Sequence, residues 1–80
     1  MSPGQRWRVF ERDNWMCRIC GDPVNRDART PELDAPTVDH IVPLARGGAH
    51  APDNWQTAHF YCNSVKSDQI GIEFAEEEPA

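Results

Sequence analysis

Eighty residues carrying a formal charge of −5, with 39% apolar residues, seven prolines and five glycines, leave room for one small, loop-rich domain. They exclude a membrane-spanning helix, because no run approaches the roughly 20 apolar residues that a span requires. A chain this short buries only about 60% of the surface its unfolded form exposes, so a metal, a disulfide or a partner is expected to supplement its core.

Residues 4–13, GQRWRVFERD, predict a short helix, with Trp7 and Phe10 at near-helical spacing and Asn14 ending it. The segment WMCRICGD then predicts a tight turn carrying Cys17-x2-Cys20. Residues 21–36 contain Gly21, Pro23, Pro31 and Pro36 and predict a loop, the segment best suited to length variation or substrate contact. TVDHIV, residues 37–42, predicts a strand ended by Pro43 and the Gly47-Gly48 turn. A second short strand is expected over DNWQTA, residues 53–58, and a helix over residues 60–69, closed by Gly71. The domain is expected to span residues 1–72, and the acidic tail 73–80 to be disordered. In a domain so short of apolar mass, Trp7, Trp15 and Trp55 are expected in the core.

The charge is unevenly spread. Four of the thirteen acids, Glu73, Glu76, Glu77 and Glu78, lie in the last eight residues, so nine acids face eight basic residues in the rest. Arg6, Arg8, Arg12 and Arg18 all fall within the first eighteen positions. A locally basic face is therefore compatible with the sequence, and affinity for a polyanion should be modest and salt-sensitive.

Cys17, Cys20 and Cys62 are the only cysteines. An odd number cannot close into a disulfide framework, and no secretory segment precedes them, which points to a soluble cytoplasmic protein in a reducing compartment. Cys17-x2-Cys20 supplies two thiolates, and His59-x2-Cys62 offers a second pair at matching spacing. Together they make a Cys3His set of the structural zinc kind. Two other readings stay open at this stage: a redox Cys-x-x-Cys, and a zinc site in which His59 takes no part.

From Cys17 to Lys66 the chain resembles the HNH endonuclease family. The resemblance rests on an ordered set: Cys-x-x-Cys, Asp39-His40 after β-branched residues, the Gly-Gly loop, Asn54, and the closing AHFYCNSVK. It implies an α+β fold, the ββα-metal motif, with an N-terminal helix and a zinc knuckle added. It implies an H-N-N variant in which His40 is the general base that activates water. By the same resemblance Asp39 and Asn63 would hold a catalytic Mg2+ or Mn2+, and Asn54 would hold the base or its loop in place. The expected substrate is DNA, in a bacterial or phage setting, and a domain this small would draw any specificity from a dimer or a partner protein.

The residue chemistry supports the same roles. An imidazole with a pKa near roughly 6.5 is neutral enough to take a proton from water. Carboxylate and amide oxygens suit a hard divalent ion, and two protein ligands leave positions for phosphate and water. Arg46 and Lys66 are candidates for phosphate contact, or are solvated charges. Read alone, Asp39, His40, Asn54 and Asn63 would be a strand-end acid, a buried histidine and two capping residues. His50 receives no role. Because neighbours on a strand point to opposite faces, irregular backbone is expected at Asp39 and His40. The competing function is a non-catalytic zinc-knuckle module that docks on nucleic acid or protein.

Overall fold

Ser2 and Gln5 start the fold by capping each other. The Gln5 N–H donates to Ser2 Oγ at 3.2 Å and the Ser2 N–H to Gln5 Oε1 at 2.9 Å, a reciprocal capping box. Pro3 fills the first helical position, where no N–H is needed. In this computed structural model, which describes residues 2–74 with side chains through Ser67, the first helix, α1, runs Pro3–Arg12. Asn14 and Trp15 end it with positive φ angles of 56° and 57°. That is an unusual conformation for a bulky residue, and it reverses the chain so that Trp15 enters the core. There it packs with Phe10, Cys17, Val24 and Ala58.

Strands β1 (Pro36–His40) and β2 (Trp55–His59) pair antiparallel, with Pro36 opposite His59 and His40 opposite Trp55. Both differ from the sequence expectation at the same end. Ile41 leaves the ladder, its N–H donating to the Asn54 carbonyl at 2.8 Å, and Pro52–Asn54 form a 3-10 turn ahead of β2. Asp39 and His40 lie within unbroken pairing, opposite Gln56 and Trp55, so the irregular backbone expected there is absent. The alternation of side chains is kept instead. Thr37 and Asp39 meet α2, while on the other face Thr57, opposite Val38, donates to the Val9 carbonyl of α1.

The second helix, α2, runs Phe60–Phe74. It continues through Gly71, where a stop was expected, because one glycine disfavours a helix by only about 1 kcal/mol. Two of its leading N–H groups, which lack intrahelical partners, donate to the preceding loop. Phe60 donates to the Ala35 carbonyl at 2.8 Å and Tyr61 to the Leu33 carbonyl at 2.9 Å. The acidic end, residues 75–80, lies outside the described residues. Among those described, no helix is long and apolar enough to cross a membrane. The result is a small α+β fold, two helices about a two-stranded sheet, in the order α1–β1–β2–α2.

Asp13 joins α1 to the sheet. Its buried carboxylate accepts from the Thr57 N–H at 2.9 Å and pairs with Arg12 at 3.0 Å. The same guanidinium reaches the carbonyls of Pro52 and Trp55. Burial pushes the Asp13 carboxyl upward, but the donors of Arg12 and Thr57 outweigh it and hold it below its ordinary value. Asp13→Asn should therefore lower stability by about 1–3 kcal/mol in urea unfolding at neutral pH. Because the folded value is the depressed one, the gap between variant and wild type should be full above about pH 4 and should narrow as the pH falls through that value.

Candidate functional site

A narrow hairpin brings the first two sulfurs together. Met16 and Pro23 form an isolated bridge, the Cys17 N–H donates to the Asp22 carbonyl at 2.8 Å, and Gly21 turns the chain at a φ of 89°. His59 is the last residue of β2 and Cys62 lies in the first turn of α2. The donor atoms of Cys17, Cys20, His59 and Cys62 all lie within 4.8 Å of one another. His59 Nδ1 is 3.3 Å from Cys20 Sγ and 3.7 Å from Cys62 Sγ. Tetrahedral zinc, with Zn–S of about 2.3 Å and Zn–N of about 2.0 Å, sets such pairs about 3.5 Å apart.

The surroundings orient the donors for that ion. His59 Nε2 lies 2.9 Å from the Pro23 carbonyl, which fixes the proton there and leaves Nδ1 to ligate. Cys17 Sγ accepts from the backbone N–H groups of Cys20 and His59 at 3.5 and 3.4 Å. Burial raises the Cys17 thiol, yet the backbone donors of Cys20, His59 and Ile19 overcome it and bring it down to about 6. Cys62 moves the other way, pushed up to about 12 by burial and by the neighbouring sulfurs of Cys20 and Cys17. A cluster that holds one thiolate and resists the next is completed by a cation. The four residues fit structural zinc, with His59 as a member of the set.

Asp39, His40 and Asn54 lie toward the opposite end of β1, and Asn63 meets the strand at Thr37. Asp39, 6% exposed, accepts from Gln56 Nε2 at 2.8 Å and from Lys66 Nζ at 2.7 Å, both on Oδ2. Lys66 also donates to the carbonyls of His40 at 2.6 Å and Ile41 at 3.2 Å. An ammonium has three donors, and all three go to protein acceptors rather than being held out for a phosphate. Asn63 donates through Nδ2 to Thr37 Oγ1 at 3.2 Å, two residues from Asp39 on the same sheet face. Its carbonyl oxygen is the end of the amide not directed at Thr37.

His40 leaves the other face, and its Nε2 lies 3.1 Å from Nδ1 of His50. The two rings stack with centroids 5.3 Å apart, and His50 also packs against Trp55. Burial first, then the neighbouring His50 and Lys66, lower the His40 pKa below its ordinary value, against an opposing pull from Asp39. Asn54 braces the loop that follows. Its Oδ1 accepts from the Val42 N–H at 2.9 Å, and its Nδ2 donates to the carbonyls of Val42 and Ala49 at 2.9 and 2.8 Å. Gly48 fits beneath it because a Cβ there would lie 1.8 Å from the Val42 oxygen. Arg46 is exposed in the 3-10 turn Leu44–Arg46 of the same loop.

Three participants were not foreseen from the sequence. His50 was given no role and lies against His40; Gln56 and Thr37 read only as strand residues. Register would have found the last two, since Gln56 is the cross-strand partner of Asp39. No local signal marks His50, which reaches His40 only through the fold of the 41–54 loop.

The family model described as HNH endonuclease matches residues 17–69, more than half of the chain. No curated protein and no solved structure matches it. The zinc reading predicts about one zinc per chain, measured by elemental analysis of protein purified without chelator. Cys62→Ala should lose that zinc and the cooperative thermal transition with it, as should wild type treated with a strong chelator. A metal-free chain that melts at an unchanged temperature would show that the cluster is not the staple.

Proposed function

The chain belongs to the HNH endonuclease family, and from that premise we propose that it is a metal-dependent nuclease hydrolysing phosphodiester bonds in DNA. The observation that carries this reading is the junction at the end of β1. Asp39, balanced by a cation, stands one residue from His40, which burial and its neighbours keep neutral at physiological pH. In this reading His40 accepts the proton of the attacking water through its imidazole, as a general base whose pKa lies near working pH can. His50 orients that ring, because one nitrogen of each imidazole is fixed by the contact between them. Asn54 keeps the following loop, and with it the end of the strand, from shifting.

The donor chemistry on the α2 face fits a hard divalent ion. Asp39 offers a carboxylate and Asn63 an amide oxygen, the ligand types of Mg2+ or Mn2+ rather than of a second zinc. Such an ion, when bound, supplies Lewis-acid stabilisation of charge on the phosphate and on the leaving oxygen. Lys66 pairs with Asp39 and anchors the His40 carbonyl, so its contribution is to the frame of the site. That Asp39 already has a cation is the one observation favouring a non-catalytic docking module instead.

Nicking of supercoiled plasmid in Mg2+ or Mn2+ separates the two. Wild type should convert the plasmid to open circles, and His40→Ala should lower the rate by about 10²-fold or more. Equal rates would remove His40 from the chemistry, and no cutting with either metal would return the reading to the docking module. Since the neutral imidazole is the active form and its pKa is lowered, the rate should rise with pH along a limb lying below about pH 6.5.

A further inference from the structure

Three arginines that neither site uses surround one cleft. Arg6 and Trp7 of α1, Trp15 just after it, and Arg26, Asp27 and Arg29 of the following loop line a cavity of about 450 Å3. Trp7, expected in the core, is 53% exposed here, and its ring meets Trp15 edge-on at 4.7 Å. Trp15 is already engaged: the Arg26 guanidinium lies 4.5 Å over its ring and its N–H donates to Glu11. Trp7 is the aromatic surface left open. Among the described residues the ion pairs are Arg12–Asp13 and Lys66–Asp39, and none involves Arg6, Arg26 or Arg29. Asp27 is the one acid among these lining residues, and among the described residues it forms no ion pair with Arg6, Arg26 or Arg29, so three guanidiniums around an exposed indole keep a net positive charge that suits an external anion.

Cations beside an exposed aromatic face are the means by which proteins hold single-stranded nucleic acid, with phosphates on the cations and bases stacked on the ring. An acidic polypeptide would satisfy the arginines but leave the indole unused. We propose that this cleft binds an unpaired nucleotide flank of the substrate. One base stacks on Trp7, and neighbouring phosphates are held by Arg6 and Arg29. The proposal rests on the nuclease reading only in taking nucleic acid as the polymer. Pro36 lines the cleft and His40 ends the same strand, four residue steps or about 14 Å away. A cleft at that distance from His40 is within reach of the same nucleic-acid strand. Bases inside a duplex are stacked on one another and cannot offer a face to Trp7, so the flank must be unpaired. The preferred substrate is then a duplex bearing a single-stranded extension.

The test is binding, by fluorescence anisotropy, of a blunt duplex and of the same duplex with a single-stranded overhang, using zinc-loaded full chain without added Mg2+ or Mn2+. The overhang should bind more tightly. Trp7→Ala should weaken it at least about fivefold, Trp7→Tyr should restore most of the loss, and neither should alter binding of the blunt duplex. Arg6→Gln and Arg29→Gln should each reduce the salt dependence by about one phosphate contact. Arg18→Gln, an equal change of charge outside the cleft, should not. Equal affinity for the two DNAs would overturn the proposal, as would unchanged binding by the cleft variants or an equal loss in Arg18→Gln. Because no cleavage is measured, overhang binding that depends on Trp7 in a chain that nicks nothing would sustain the cleft and sink the nuclease reading. Plasmid nicking with no preference for the overhang would do the reverse.

Discussion

The closure between the Cys17–Cys20 hairpin and the β2–α2 junction is the constraint on which the rest depends. Cys17 and His59 are 42 positions apart, and among the described residues the buried apolar side chains available to hold them together are few: Val9, Phe10, Trp15, Val24, Trp55 and several alanines. Domains of ordinary size are stable by about 5–15 kcal/mol in total, and structural zinc sites bind with about 10–16 kcal/mol. The metal term is thus as large as the net stability of a whole domain. With the sulfurs and His59 gathered, β2 is fixed against the hairpin and α2 starts in a set direction. The strand pairing that carries Asp39 and His40 then follows from register.

Charge within the fold is handled locally. Among the described residues Asp13 and Asp39 are the buried carboxylates, and each has a cation and a neutral donor: Arg12 with the Thr57 N–H, Lys66 with Gln56. A buried carboxylate stripped of such partners would be strongly destabilising. The first pair binds α1 to β2 and the second binds α2 to β1, so the two helices are attached to the sheet by matching polar devices on opposite faces. Lys66 adds a mechanical role by gripping the His40 and Ile41 carbonyls where the strand ends.

Much of this was legible in the sequence because it rests on spacing. Cys-x-x-Cys, His-x-x-Cys and the β-branched run TVDHIV located the cluster and the first strand within a few residues. What could not be read depends on the path of loops. His50 meets His40 only because the 41–54 segment folds back under Asn54, with Gly48 at a position where a side chain would strike the Val42 carbonyl. Trp7 could not be placed by composition, since it meets Trp15 in a T-shaped contact and still keeps about half of its surface in solvent. Irregular backbone at Asp39 and His40 was expected on the premise that two cooperating residues must share a face. The strand stays regular, and they do not.

That regularity has a consequence for selectivity among ligands. An imidazole beside a divalent ion is itself a good ligand, and an imidazole whose lone pair is donated to a metal can no longer take up a proton. With Asp39 directed toward α2 and His40 toward His50, the sheet acts as an insulating partition. On the proposed nuclease reading, chelation by Asp39 and proton transfer by His40 would fall on separate sides, although the two residues are neighbours in the chain.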